Sequence, residues 1–190
     1  MVRLFFRVKA FHIREQLYVI RHFYPRFMIR DLLLGLSSLF LNPYRLCKTT
    51  YGETSLRAFR QMAAAARLSS QDLYLELGSG RGKTCFWAAE LFGCKVKGVE
   101  IVPFFVRLSK ALFKKATFVC ESMFETDLSE ADLIYYYHLD EERPHFEAMR
   151  KGARLITISE PIDSEAFRVI KTLEVEFAWG VTEAYIQVRI

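Results

Sequence analysis

From residue 72 onward, apolar and polar positions alternate in a way that predicts strands and helices in turn. Asp72–Leu77 (DLYLEL), Lys95–Ile101 (KVKGVEI), Ala116–Cys120, Asp132–Tyr137 (DLIYYY) and Ala153–Ser159 (ARLITIS) are short apolar runs with the length of buried strands. Between them, Lys83–Phe92, Phe104–Phe113, Glu141–Met149 and Ser164–Lys171 have helical length and spacing. A further helix, Ser55–Ala66, opens on Thr54 and Ser55, which suit an N-cap. The end of the chain changes character. Val175–Ala178 and Glu183–Ile190 read as two strands around a turn at Gly180, with no helix between them. The pattern predicts an α/β, Rossmann-like sheet of seven strands, parallel until a C-terminal antiparallel hairpin.

Residues 1–48 follow a different pattern, with Phe5, Phe6, Phe11, Tyr18, Phe23, Tyr24, Phe27, Phe40 and Tyr44 interleaved with Arg and Lys. Phe27–Leu41 is helical in length, apolar on more than one face, and ended by Asn42–Pro43. This segment holds nine Lys and Arg against two acids, a net +7, whereas the other 142 residues hold 18 against 20. The basic character therefore belongs to an N-terminal helical arm (1–48) and not to the domain at 49–190. Two partners suit such an arm: the core of the chain or a partner protein, and a membrane surface with apolar side down and Arg among the headgroups. Its aromatics are too regularly apolar for base stacking, which argues against nucleic acid.

Composition narrows the class. An apolar fraction of 52% excludes a disordered chain. Cysteines 47, 85, 94 and 120 form no Cys-x-x-Cys pair, so no metal site is expected and a reducing, cytoplasmic setting fits, with membrane association through the arm left open. No apolar window reaches the ~20 residues of a membrane span.

Chemistry concentrates in LELGSGRGKT, Leu75–Thr84. A phosphate-binding P-loop places four residues between its first Gly and Gly-Lys-Thr, but Gly78 and Gly82 enclose three. The dinucleotide fingerprint G-x-G-x-x-G fails because its third glycine falls on Lys83. G-x-G-x-G (Gly78, Gly80, Gly82, with Ser79 between) behind Glu76 suits S-adenosylmethionine (SAM), whose methionine end carries an ammonium and a sulfonium. A carboxylate there repels phosphate and attracts an ammonium. The glycines let the backbone approach, and the next helix N-terminus suits the carboxylate. Lys83 is expected to point away from the reaction or towards that carboxylate. Glu100, about 20 residues on, stands where a carboxylate meets ribose hydroxyls, with Ile101 beside it. Ser122 and Met123 follow strand three, on the adenine side.

These stretches resemble a family. YGETSLRAFRQM, DLYLELGSGRGK, VKGVE, MRKGARLITISEP and AWGVTEAYIQVRI resemble the histone lysine methyltransferases that lack a SET domain, the disruptor-of-telomeric-silencing type. FETDLSEADLIYYY resembles the ATP-synthase c-subunit lysine methyltransferases. The resemblance, from about Tyr51 to the C-terminus, implies a class I SAM-dependent methyltransferase acting on a protein lysine. It implies that the Tyr51–Thr54 loop folds over the cofactor through Tyr51, Glu53 and Thr54, and that Trp179 shapes a lysine channel. The Asn pair of the histone enzymes is replaced by Tyr136, Tyr137 and His138, so substrate positioning differs and histone is disfavoured. Asp/Asn-Pro-Pro-Tyr/Phe and Pro-Cys, signatures of enzymes that methylate nucleic-acid bases, are absent after strand four. Tyr137 and Trp179 are expected to line the channel, with His138 as a candidate proton acceptor. Two other readings stay open at this point: a lipid or small-molecule methyltransferase, and a non-catalytic SAM-binding protein.

Overall fold

A computed structural model describes residues 11, 13–15, 17–18, 53–137 and 142–190. Helix α1 (Leu56–Ala65) is followed by β1 (Leu73–Leu77), α2 (Lys83–Phe92), β2 (Lys95–Glu100), α3 (Pro103–Leu112), β3 (Thr117–Cys120) and β4 (Leu133–Tyr136). A 3-10 turn (Phe146–Ala148), β5 (Arg154–Ile158), β6 (Phe167–Phe177) and β7 (Gly180–Arg189) complete the chain. The seven strands form one sheet in the order β3-β2-β1-β4-β5-β7-β6. Strands β1 to β5 pair in parallel, and β7 runs antiparallel to both β5 and β6. The fold is the expected Rossmann-like sheet with its C-terminal antiparallel hairpin.

Local chemistry explains the element ends. Ser55 caps α1, its Oγ accepting from Ala58 N at 3.1 Å. Pro103 opens α3, where a missing N–H costs nothing. Gly93 ends α2 in the left-handed conformation, with φ +67°.

Helices α1, α2 and α3 share one apolar layer on one face of the sheet. Leu56, Phe59 and Met62 of α1, Phe86 and Trp87 of α2 and Val106 of α3 meet Tyr74, Val96, Tyr135, Ile156 and Ile186 there. The opposite face carries Leu75, Leu77, Val99, Ile134, Tyr136 and Leu155. Loops and the 3-10 turn cover it through Leu128, Phe146, Met149 and Ile162.

Two expected helices are absent from that second face. Within Glu141–Met149 the described residues form only the turn at Phe146–Ala148. Pro144 lacks an N–H and restricts Arg143 before it, so a full helix is blocked. Ser164–Lys171 is not a helix either: from Phe167 onward the chain is already in β6, an eleven-residue strand paired along β7. Adjacent β-branched Val169 and Ile170, with Thr172, favour the extended form once a partner strand is present.

Most of the proposed arm, including Phe27–Leu41 and the boundary at 48/49, lies outside the described residues. Those that are described, between 11 and 18, are helical and rest on the core. Glu15 accepts from Leu56 N at the start of α1, Arg14 pairs with Glu176 at 2.6 Å, and the Arg57 guanidinium lies 5.0 Å from the Tyr18 ring centre. No helix among the described residues is long and apolar enough to cross a membrane.

The approach of α2 to β2 depends on Gly98. A Cβ there meets the Phe118 ring at 2.7 Å and Cys85 Sγ at 2.9 Å. Gly98→Ala is expected to destabilise the cofactor-free protein by about 1–3 kcal/mol, the range for overpacking. That is a fall in melting temperature of roughly 2–10 °C for a chain of this size. An unchanged melting temperature contradicts the close packing.

Candidate active site

The sheet order reverses direction between β1 and β4, which opens a crevice at the carboxyl ends of the strands. The glycine turn fills one side of that crevice. Gly78, Gly80 and Gly82 have φ of +73°, +52° and +72°, a left-handed backbone that glycine adopts without strain. The turn is tied down at each step. Ser79 N donates to Val99 O at 2.7 Å, and Gly82 N donates to Ser79 O at 2.8 Å. Gly82 is held flush against the sheet, since a Cβ there lies 2.7 Å from the Phe118 ring. Gly78 is the opposite case, with no atom of the described residues within 4 Å of its added Cβ.

Glu76 sits near the end of β1 with its carboxylate buried beneath the turn. Thr84 Oγ1 donates to its Oε2, and Cys85 Sγ donates to the same oxygen at 3.0 Å. Both donors are neutral, and no Lys or Arg pairs with Glu76 among the described residues. Burial therefore pushes its carboxyl from 4.5 up to about 7, against the opposing pull of those hydrogen bonds. Lys83 does not compensate it: its ammonium lies 4.9 Å from the Trp87 ring centre.

Glu100 ends β2 and holds the turn from the other side. Its Oε2 accepts from Gly80 N and its Oε1 from Val102 N, each at 2.8 Å. Burial raises its carboxyl pKa as well, although these backbone donors oppose the shift. Each oxygen keeps lone-pair capacity beyond one backbone bond. Beyond it, Ile101 is an apolar side chain left 68% exposed at the strand tip. Ser122 and Met123 follow the neighbouring β3, both half-buried, with Ser122 Oγ accepting from Phe124 N at 3.3 Å.

On the β4 side, three aromatic side chains converge. Tyr135 and Tyr136 are buried on opposite faces of the sheet, whereas Tyr137 leaves β4 half-buried. Since β6 runs parallel to β5, the hairpin tip lies at the same edge as the glycine turn. Trp179, 48% exposed at that tip, donates from Nε1 to Tyr137 Oη at 2.6 Å. Phe177 stacks on Trp179 at 5.6 Å and meets Tyr137 at 5.1 Å.

The structure thus groups Glu76, Gly78, Ser79, Gly80, Gly82, Glu100 and Ile101 around one turn, with Ser122 and Met123 at the next strand end. It places Tyr137 and Trp179 together at the same edge of the sheet. Tyr51 and His138 lie outside the described residues. Glu53 and Thr54 are present, but their described partners are protein groups. The Glu53 carboxylate pairs with Arg81 of the glycine turn, and Thr54 Oγ1 lies 2.6 Å from Tyr135 Oη. Sequence reasoning missed Arg81, Thr84, Cys85 and Phe177. Thr84 and Cys85 were within reach of it, since the first turn of a helix leaving a tight glycine bend returns to the strand end it came from.

These residues fit SAM. Among the described residues, Glu76 is a buried carboxylate without a cation, the space beside Gly78 is open, and the buried Ser79 Oγ has no hydrogen-bond partner. A phosphate would meet two carboxylates here; an ammonium and a pair of hydroxyls would satisfy them.

Comparison with known proteins agrees with this geometry. The family model described as histone methylation protein DOT1 matches residues 37–159, more than half of the chain. No curated protein matches the sequence. Among solved structures, an RNA methyltransferase from Salinibacter ruber in complex with S-adenosyl-L-homocysteine is 22% identical, with a TM-score of 0.62. That match covers 72% of this chain and 94% of the other. A mutant of MtNAS in complex with S-adenosylmethionine is 16% identical, with a TM-score of 0.62, covering 97% of this chain and 75% of that one. A tRNA (uracil-54, C5)-methyltransferase of Pyrococcus abyssi is 14% identical, with a TM-score of 0.57, covering 74% of this chain and 40% of that one. At these identities the likeness is one of fold.

The Glu76 carboxyl makes stability depend on pH. Its pKa is higher in the folded protein than in the unfolded chain, so its contribution is fully present below about pH 4.5 and is lost as pH rises through about 7. The loss is on the order of 3 kcal/mol. Urea unfolding of the cofactor-free protein at pH 5, 6, 7 and 8 is expected to show this decline, and Glu76→Gln to flatten it. Equal slopes in both proteins contradict the uncompensated burial. Added SAM is expected to stabilise the native protein most at pH 8.

Proposed function

The chain belongs to the DOT1 family of histone methylation proteins, and from that premise we propose that this SAM-dependent methyltransferase methylates a lysine side chain of a protein. The observation that carries the reading is the Tyr137–Phe177–Trp179 cluster at the same carboxyl edge of the sheet as the glycine turn.

When bound, SAM supplies a methyl on a positively charged sulfur, which passes to an acceptor lone pair as the carbon–sulfur bond breaks and a neutral thioether remains. Glu76 would hold the ammonium of the cofactor, Glu100 the ribose hydroxyls, and Ile101, Ser122 and Met123 the adenine side. A lysine acceptor is cationic in water and has no lone pair until it loses a proton. Apolar aromatic walls lower its pKa by denying the ammonium its hydration, and the proton passes to solvent. The same faces attract the methylammonium that forms. Trp179 donates its N–H to Tyr137, which fixes both rings in one arrangement and orients the channel. Orientation of this kind supplies much of the rate in transfers that need no strict protein base.

The side chains after β4 favour this reading over a base substrate. Tyr136, Tyr137 and His138 occupy the place where amino-methylating nucleic-acid enzymes carry Asp/Asn-Pro-Pro-Tyr/Phe. The RNA and tRNA methyltransferases among the structural matches share the sheet, and a sheet of this kind serves many substrates. The same stretch lacks the Asn pair of the histone enzymes, so the proposed acceptor is a protein lysine without commitment to histone.

The test is transfer from tritiated SAM into a cell lysate, separated into protein, RNA and lipid. Label is expected in protein and, after acid hydrolysis, in methyllysine. Label confined to RNA or lipid overturns the proposal. Trp179→Ala is expected to lower kcat by roughly 10- to 100-fold, as misplacement of an acceptor does, while changing SAM affinity less than about twofold.

A further inference from the structure

Three consecutive residues tie together three parts of the site. The Glu53 carboxylate accepts from Arg81 Nε at 2.7 Å and also pairs with Arg81 Nη2. Thr54 Oγ1 is hydrogen-bonded to Tyr135 Oη at 2.6 Å. Ser55 Oγ donates to Glu176 O at 3.3 Å. In order, these are the glycine turn, strand β4 and strand β6. Two residues beyond Tyr135 is Tyr137, and one beyond Glu176 is Phe177, both members of the acceptor cluster. Residues 53–55 therefore bridge the cofactor side and the acceptor side of the crevice, and they end on a rigid element because Ser55 caps α1.

The weight of the bridge falls on its first contact. Arg81 is 6% exposed, inside the glycine turn, and its guanidinium is planar with donors in a fixed fork. An ion pair to this group fixes direction as well as distance. The other two contacts join elements of the same sheet, β4 and β6, which strand pairing already holds in place. The Arg81–Glu53 pair adds a side-chain link from the turn, which holds the cofactor, to residues 53–55, beside the backbone pairing of β1 with β4.

The geometry points to Arg81 as a positioning residue for methyl transfer: its ion pair with Glu53 sets the alignment of the cofactor turn with the Tyr137–Phe177–Trp179 cluster. This inference rests on the methyltransferase assignment and is independent of whether the acceptor is lysine. Activity is therefore read in whichever lysate fraction takes the label, so that a wrong acceptor class and a wrong role for Arg81 give different results.

The experiment compares the native chain with Arg81→Met, Glu53→Gln, and the double reversal Arg81→Glu with Glu53→Arg, using tritiated SAM. Each single change is expected to lower kcat by roughly 10- to 100-fold, the scale of an ångström of misalignment. SAM affinity by calorimetry is expected to stay within about threefold. The double reversal is expected to recover at least tenfold over the single variants, because the pair is restored with opposite polarity. Loss of SAM binding in parallel with activity overturns the proposal and makes Arg81 a direct cofactor ligand. Unchanged kcat, or a double reversal no better than the singles, also overturns it. Should Arg81→Met fail to fold, Arg81→Lys supplies the test. It keeps the charge and loses the fork, and it is expected to retain SAM affinity and lose kcat; native kcat in that variant overturns the proposal.

Discussion

A carboxylate buried without a cation near the tip of the central strand is the constraint to which the rest of the site answers. Folding alone leaves Glu76 with two neutral donors, Thr84 and Cys85. An ionised carboxylate in that position is costly, so the group keeps its proton up to about neutral pH. Among the described residues, the glycine turn above it offers open space beside Gly78 and an unpartnered serine hydroxyl at Ser79. Among the described residues this buried carboxylate is one that a ligand with a positive end would satisfy. That requirement explains why a sequence ending in Gly-Lys-Thr is not a phosphate cradle. Lys83 has turned away onto Trp87, and two acids face the space a phosphate would need.

The arrangement around this turn follows from two close approaches. Gly98 and Gly82 both lie against the Phe118 ring with no room for a Cβ. They let α2 and the turn settle onto β2, the role a third glycine plays in the dinucleotide fingerprint. Here that role has moved to the strand, which leaves position 83 free to carry a long side chain. The Tyr137–Trp179 cluster is built differently. It uses the hairpin tip between β6 and β7, whose antiparallel pairing returns Trp179 to the edge occupied by Tyr137.

Much of the fold was legible in the sequence because strands buried on both faces leave a short apolar run, and each such run was found within a residue or two. The two misread helices show where this signal fails. Glu141–Met149 has a helical spacing of apolar residues, but Pro144 overrides it locally. Ser164–Lys171 has the same spacing, but pairing with β7 overrides it from a distance. In the site, the acids Glu76 and Glu100 were legible because strand ends and glycine spacing fix their place within about 20 residues of chain. Arg81 was not. It lies between two glycines, and its partner Glu53 is 28 residues away.

The sequence by itself determined the sheet, the position of the turn and the charge of the ligand that the turn prefers. Each of these depends on residues close together in the chain, where backbone preference and side-chain type decide the outcome. Tertiary structure decided which aromatic rings meet at the hairpin tip and which distant strand residues 53–55 reach. Tyr137 and Trp179 are 42 residues apart, and Ser55 and Glu176 are 121 apart. No local preference brings such groups together. They meet because the β6–β7 hairpin and the start of α1 bury their apolar faces on the same side of one sheet.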